Sequence, residues 1–419
     1  MAQVKDNKKT TMCDRIITLK ISKEEYDEFE TNISYARKVI SEAFISTPEL
    51  FPVSMGEAYK FNGHARVSKK TGMRLRKIRT GGFDYRIYPH FIVPYMRGET
   101  KDIADALFLL RWAPYWAIAQ THGKNHMYWY RCHNFFSRKS IVGTTIQKDT
   151  PVPKDLVGDE YHSKLGGEKI YLATTVSKGC FLGAEASETS DATDLTSAYG
   201  TFKDEVKVLE EDYAPNTVNL DGWPAGNLAW KTLFPCIAVI SCFLHGFIKI
   251  RDRALKKMQG VFQQISEKVW DSYKAENKKC FSQRIRRLRE WSQDNVPEST
   301  MKTNLLKLCD KNKQWQVFYD HPNAYRTSNM LDRLMRFMDR YLQKNQTFHG
   351  KSIKSSTNTI RAFALMYNFT PSCPDYRRKD ELKSPVARLN KHEYHENWLA
   401  NLLIAGSLNG KRRKQPNAL

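Results

Sequence analysis

Two apolar runs, each closed by a chemically distinctive residue, constrain this chain most. Thr217-Val-Asn-Leu-Asp-Gly-Trp223 leads into Asp221, and Cys242-Phe-Leu-His245 begins 21 residues after that acid. Between them, Pro224 to Leu233 has the pattern of a short helix opened by proline. Strand, helix and strand make a βαβ unit. It sets a carboxylate at the carboxyl end of a strand, where open α/β sheets place their ligands. Asp159 has a similar setting, closing the apolar run Asp155-Leu-Val-Gly-Asp-Glu160. Two carboxylates on neighbouring strand ends offer oxygen ligands to a hard cation such as Mg²⁺.

The 419 residues carry 67 Lys+Arg against 45 Asp+Glu, a formal charge of +22. Such an excess points to a polyanionic partner. The charge is unevenly spread. Residues 1–153 hold 25 basic and 15 acidic side chains (net +10), residues 154–221 hold 6 and 14 (net −8), and residues 245–290 hold 13 and 5 (net +8). An acidic centre between two basic flanks suits metal-dependent chemistry on nucleic acid; a solvated acidic face between basic ones gives the same counts. A membrane role is not expected, because the longest apolar stretch, Phe234 to Ile248, is short for a bilayer and contains His245. The polar start Met1-Ala-Gln-Val-Lys-Asp gives no secretory signal. None of the eight cysteines falls in a CxxC pair, so free thiols in a reducing compartment are expected rather than a zinc ribbon.

The length predicts more than one domain. Residues 1–100 read as a basic amino-terminal region mixing helix and strand, with the run Ser68-Lys-Lys-Thr-Gly-Met-Arg-Leu-Arg-Lys-Ile-Arg79 as a loop or hairpin. Residues 101–150 read as helices over 102–110, 115–120 and 125–136, with a turn at Thr121-His-Gly-Lys124. That spacing fits a helix-turn-helix, whose last helix would offer Lys124, His126, Tyr128, Arg131 and His133 to DNA. An ordinary helical hairpin in a core fits it as well. Of the three consecutive aromatics Tyr128-Trp129-Tyr130, at least one must turn inward. After the linker Pro151-Val-Pro153, strands are expected at 155–160, 168–175 and 180–186. A helix over 192–211 follows, with Leu195, Tyr199, Phe202, Val206 and Leu209 at core spacing. Then come a strand over 215–220, a helix over 224–233 and a strand over 236–242. This is the element order of an RNase H-like core, interrupted by a helical stretch over 251–324. There Phe281, Ile285, Leu288 and Trp291 form an apolar stripe, with Arg284 and Arg287 among the basic residues between them. Residues 325–370 supply the final core helices, and 371–419 a carboxy-terminal region with the basic tail Gly410-Lys-Arg-Arg-Lys414. The fold class expected is thus multidomain α+β.

Four segments together resemble the DDE-class insertion-sequence transposases related to Mutator-like elements. They are Leu156-Val-Gly-Asp159-Glu, Val218-Asn-Leu-Asp221-Gly-Trp223, Cys242-Phe-Leu-His245 and Tyr325-Arg-Thr-Ser-Asn-Met-Leu-Asp332-Arg-Leu, with Trp398-Leu-Ala-Asn-Leu-Leu near the end. The resemblance implies an RNase H-like core with Asp159, Asp221 and Asp332 as catalytic metal ligands, an amino-terminal DNA-binding region and a helical insertion before the third acid. It implies Mg²⁺ or Mn²⁺, with two ions, and double-stranded DNA as partner, both element ends and target. It also implies an oligomer on DNA and, in a prokaryote, a cytoplasmic place at the nucleoid. Cys242 and His245 match the C/D-x-x-H motif of that class, with Trp223 beside Asp221 in support. The wider class has Glu as third acid, so Asp332 is one methylene shorter, and Asp339 on the same helical face is its rival. A stand-alone RNase H-like nuclease or resolvase, or a domesticated DNA-binding protein without catalysis, are the alternatives.

Overall fold

The computed structural model describes residues 12–255, 258–345, 348, 352–376 and 382–411. Of the expected basic tail over 410–414, residues 412–414 therefore lie outside the described residues.

The amino-terminal part builds its own core. Strand β1 (Ile16–Leu19) is followed by helices α1 (Lys23–Thr31) and α2 (Ile33–Ser46). A capping box, in which Ser22 and Glu25 satisfy each other's backbone N–H groups, starts α1. Asn32 caps α2. Strands β2 (Lys60–His64), β3 (Arg76–Thr80) and β4 (Phe83–Pro89) complete a sheet of order β1-β4-β3-β2, with β1 parallel to β4. The basic run over 68–79 thus becomes a loop entering β3, and Gly81 and Gly82, both at positive φ, close the hairpin to β4. Ile17, Phe29, Ile40, Ile78 and Ile87 form the centre of this core.

Helices α3 (Thr100–Phe108), α4 (Tyr115–His122), α5 (His126–Asn134) and α6 (Ile141–Thr145) lead to the second sheet. Its strands are β5 (Asp155–Leu165), β6 (Glu168–Ser177), β7 (Cys180–Ser187), β8 (Thr217–Leu220) and β9 (Ala238–Ser241), in the order β7-β6-β5-β8-β9. The first three are antiparallel, and β5, β8 and β9 are parallel. Helix α7 (Ala192–Leu209) connects β7 to β8, and α8 (Pro224–Leu233) connects β8 to β9. Both cover one face, where Leu195, Tyr199, Phe202 and Val206 pack against Leu156, Val218 and Trp230 as their spacing predicts. Leu209 lies at the edge of that cluster.

One strand differs from expectation. Asp159 does not end β5; the strand runs on to Leu165. Its first residues pair with β8, and the whole of it from Val157 pairs with β6. The hairpin extension carries the polar residues Ser163 and Lys164, whose side chains need no core.

A helical insertion follows β9. Helix α9 (Phe243–Arg251) leads into α10 (Gln259–Tyr273), α11 (Lys278–Asn295), α12 (Thr300–Asp310) and α13 (Asn312–Gln316). These pack around Phe243, Ile265, Phe281, Ile285, Leu288 and Leu305. Helices α14 (Asn329–Lys344) and α15 (Ile353–Phe369) then cover the other face of the sheet, and α16 (Pro385–Asn390) and α17 (Trp398–Ala405) close the chain. Helix α17 is fully buried, because all its residues but Asn401 are apolar and face two cores at once; Asn401 Oδ1 accepts from the Tyr394 N–H at 3.0 Å. The Thr18 N–H of β1 donates to Ser407 Oγ at 3.0 Å, and the Ser140 N–H donates to the Asn409 carbonyl at 2.7 Å. The chain is therefore α+β with two mixed sheets. Among the described residues no helix is long and apolar enough to cross a membrane, and Cys132, Cys180, Cys236, Cys242, Cys280, Cys309 and Cys373 are free thiols.

The helices over 115–134 join this main core. Gly123, at φ 65°, makes the turn between α4 and α5, and Trp129 is the inward aromatic, its Nε1–H donating to the Gly123 carbonyl at 2.9 Å. His133 is buried and lies 2.9 Å from Tyr115 Oη and 3.3 Å from Tyr341 Oη, so it serves the core and is not a DNA contact. Burial pushes His133 down to about 3 and, helped by His395 and Lys20, pushes His90 down to about 4. In the unfolded chain both bind a proton near pH ~6.5, so stability is lost as pH falls through that value toward the folded ones. Between about pH 6.5 and about pH 5 each of the two histidines therefore withdraws up to ~1.4 kcal/mol of stability per pH unit, while Asp159 and Glu160, both raised to about 7 by burial, act in the opposite direction. The stability of His133→Gln relative to the parent chain, measured by denaturant unfolding, should therefore rise as pH falls from about 7 to about 5; a difference that does not change with pH would contradict it.

Candidate active site

The sheet register sets three candidate residues in one row. Val157 pairs with Asn219, and Asn219 with Ile240. Two residues further along the three parallel strands stand Asp159, Asp221 and Cys242. Side chains alternate along a strand, so residues two apart share a face. Here it is the face covered by α14, since Val157 packs in the core with Leu331 and Leu334, and Asn219 Nδ2–H donates to the Tyr325 carbonyl at 2.9 Å. The neighbouring Glu160 points the other way, accepting from Tyr199 Oη at 2.8 Å.

Asp221 is held by a tight turn. Its Oδ1 accepts from the Trp223 N–H at 2.7 Å, and Gly222 adopts φ 93°, a left-handed conformation that disfavours other residues. Trp223 turns its ring toward His162 and Tyr171, with centroids 5.8 and 5.9 Å away, so it flanks Asp221 without entering the row. Asp159 Oδ1 accepts from the Glu160 N–H at 2.9 Å. Burial raises Asp159 to about 7, and the negative charges of Asp221 and Asp332 add to the rise, while His245 opposes it. Asp159 on β5 therefore lies within electrostatic reach of both Asp221, in the turn after β8, and Asp332 on α14.

The Cys242-x-x-His245 pair meets Asp332 through a residue that local sequence patterns did not reveal. Ser328, the residue before α14, is 2 % exposed. Its hydroxyl caps no backbone N–H. It is instead shared between Asp332 Oδ1 and Oδ2, each at 3.3 Å, and lies 3.3 Å from Cys242 Sγ and 3.4 Å from His245 Nδ1. The Ser328 N–H donates to Cys242 Sγ at 3.2 Å. The hydrogen bond with Cys242 holds His245 well above the usual imidazole range against its burial, and Asp159 and Asp332 add to that. Burial pushes the Cys242 thiol up, but hydrogen bonds from His245 and Ser328 outweigh it and leave it lowered. Burial also raises Asp332, with His245 and Ser328 opposing.

Asp339, the rival third acid, is used elsewhere. It accepts from Tyr161 Oη and, at 2.8 Å, from Gln343 Nε2. Arg336, one helical turn beyond Asp332, is the smallest of the influences acting on that acid.

Arg326 clamps the insertion to the start of α14. Its guanidinium lies 4.2–5.8 Å from the ring centroids of Phe243, Tyr273, Phe281, Phe318 and Tyr319. It also donates to the Tyr273 carbonyl and, at 3.0 Å, to Tyr319 Oη.

The other basic candidates fall into two groups. Lys124, His126 and Arg131 are exposed on the turn and outer face of α5. Tyr128 donates its hydroxyl to the Arg97 carbonyl and is half-buried. In the insertion, Arg284 is engaged with Asp271 at 3.0 Å, because α10 and α11 pack side by side, whereas Arg287 is exposed.

The donor types near the row, carboxylate oxygens from three elements, are those that Mg²⁺ or Mn²⁺ takes, and Asp159 feels the charge of the other two. Among the described residues no group of three or more His, Cys, Asp or Glu side chains is closed enough to hold an ion as it stands. Compared with protein-family models and with curated proteins, the chain matches none.

Proposed function

We propose that this protein is a metal-dependent DNA strand-cleaving and strand-joining enzyme, a transposase of the DDE class with Asp159, Asp221 and Asp332 as its acids. The reading is carried by Asp159, which lies in one register row with Asp221 on neighbouring parallel strands and feels the charge of both Asp221 and Asp332. The sheet order β7-β6-β5-β8-β9, antiparallel then parallel, is that of an RNase H-like core and supports it, as does the helical insertion between β9 and the acid-bearing α14. The formal charge of +22 supports DNA as the substrate.

Mg²⁺ or Mn²⁺ bound by the three acids would supply charge neutralisation at phosphorus and an activated oxygen nucleophile. The chain's own residues supply order and charge. Gly222 and the Trp223 N–H fix the Asp221 carboxylate. Ser328 orients Asp332, and Cys242 and His245 orient Ser328. His245, held toward its protonated form, offsets the negative charge of Asp159 and Asp332. The exposed Lys124, His126 and Arg131 are the candidates for gripping element ends through a helix-turn-helix.

A plasmid carrying the DNA that flanks the gene, incubated with the purified chain and Mg²⁺, tests this reading. Breaks at two fixed ends leaving 3′ hydroxyls, with joining of those ends to new sites, are expected. Unplaced nicking would favour a nuclease or resolvase, and binding with no breakage a DNA-binding protein without catalysis. Ser328→Ala should lower the cleavage rate about 10- to 100-fold, the usual loss when a residue orienting a metal ligand is removed. Unchanged cleavage in a folded Ser328→Ala chain would show that Asp332 needs no such support.

A further inference from the structure

A groove of about 420 Å³ opens beside Asp221 and runs onto the helical insertion. Its floor is the contact of α9 with α12 and α13. A side chain at Gly246 would press on Leu308 and the Trp315 ring, 3.3 and 3.4 Å from its Cβ, so the helices approach closely there. Trp315 is fixed by its Nε1–H, which donates to the Leu308 carbonyl at 2.9 Å. Three lysines line the groove: Lys249 on α9, Lys307 on α12 and Lys311 just beyond it. All three are exposed, and among the described residues their ammonium groups have no ion-pair or hydrogen-bond partner. The groove's other acid, Asp310, is engaged by Arg289 and does not offset them. Lys307, in the last turn of α12, and Lys311, its C-cap, stand four residues apart, so the groove presents two ammonium groups in close succession.

We propose that this groove is the track of one strand of the DNA being cut, held through its phosphates by Lys249, Lys307 and Lys311 and led to Asp221. The inference rests on the strand-cleavage reading for the identity of the strand. An uncompensated line of ammonium groups ending at a carboxylate site fits a polyanion whose reacting phosphate must reach that site.

Lysine acylation read by mass spectrometry tests it on the full chain with a duplex of about 30 base pairs, in the parent protein and in Asp221→Asn. Protection of Lys249, Lys307 and Lys311, with exposed Lys207 on the acidic α7 unprotected, is expected in both proteins. A chain with K249E, K307E and K311E together should show the slope of log K against log salt reduced by about 2.7, ~0.9 for each lost phosphate contact. Equal protection of Lys207, no protection at the three lysines, or an unchanged slope overturns the track, even if the parent protein cuts DNA. Protection and a reduced slope in a protein that cuts no DNA under any divalent cation would uphold the groove and remove the cleavage reading instead.

Discussion

Arg361→Ala is expected to destabilise the fold by about 3–5 kcal/mol, the usual result of removing one partner from a buried ion pair. Arg361 lies in α15, and its guanidinium meets Glu185 of β7 at 3.3 Å and Glu205 of α7. It also donates to the carbonyls of Ser137 at 3.1 Å and Lys139 at 3.0 Å, in the segment between α5 and α6. Glu205 in turn accepts from Ser140 Oγ and the Val142 N–H at 2.9 and 3.1 Å. One side chain therefore ties β7, α7, α15 and the entry to the second sheet. Without it two half-buried carboxylates face each other with no cation between them. Denaturant unfolding should show the loss, and Arg361→Met combined with E185Q and E205Q should recover much of it, because the unpaired charges go too. A parent-like midpoint in Arg361→Ala would mean that water already screens the pair.

The second large effect concerns the third acid. Asp332→Ala should lower Mg²⁺-dependent cleavage by on the order of a thousandfold or more, since loss of a metal ligand forfeits several kcal/mol of transition-state stabilisation and ~1.4 kcal/mol is tenfold. DNA binding should be kept, because the exposed basic residues are untouched. Asp332→Glu should also lose activity: Ser328 holds the shorter carboxylate by both oxygens, and an added methylene pushes it past that position. Asp339→Ala should stay near the parent rate, as it gives up only bonds with Tyr161 and Gln343. Parent-like cleavage in Asp332→Ala, or a dead Asp339→Ala, would move the third acid.

Much of this could be read from local pattern. Apolar runs with period two and the Pro224 start gave β8, α8 and β9 within two residues. The spacing of Leu195, Tyr199, Phe202 and Val206 gave the buried face of α7. What escaped is non-local. The pairing of β1 with β4 joins residues about 70 positions apart, and nothing within either run announces it. Ser328 looks like an ordinary helix cap; its use depends on Cys242 and His245, 86 and 83 residues earlier. Arg326 reads as one more basic residue until five rings from the insertion surround it. His133 shows the converse error, where a basic type on a predicted DNA-facing helix is consumed by two tyrosines of the core.

That Asp159, Asp221 and Asp332 form one metal site is best tested without reference to activity. Fe²⁺ accepts the same octahedral oxygen ligands as Mg²⁺ and Mn²⁺. With ascorbate and peroxide it releases hydroxyl radicals that break the backbone close to where it is bound. Breaks around residues 159, 221 and 332 together, suppressed by excess Mg²⁺ and lost in Asp159→Asn, are the expected result. Breaks at only one of the three segments, or a pattern unchanged by Mg²⁺ and by Asp159→Asn, would contradict it.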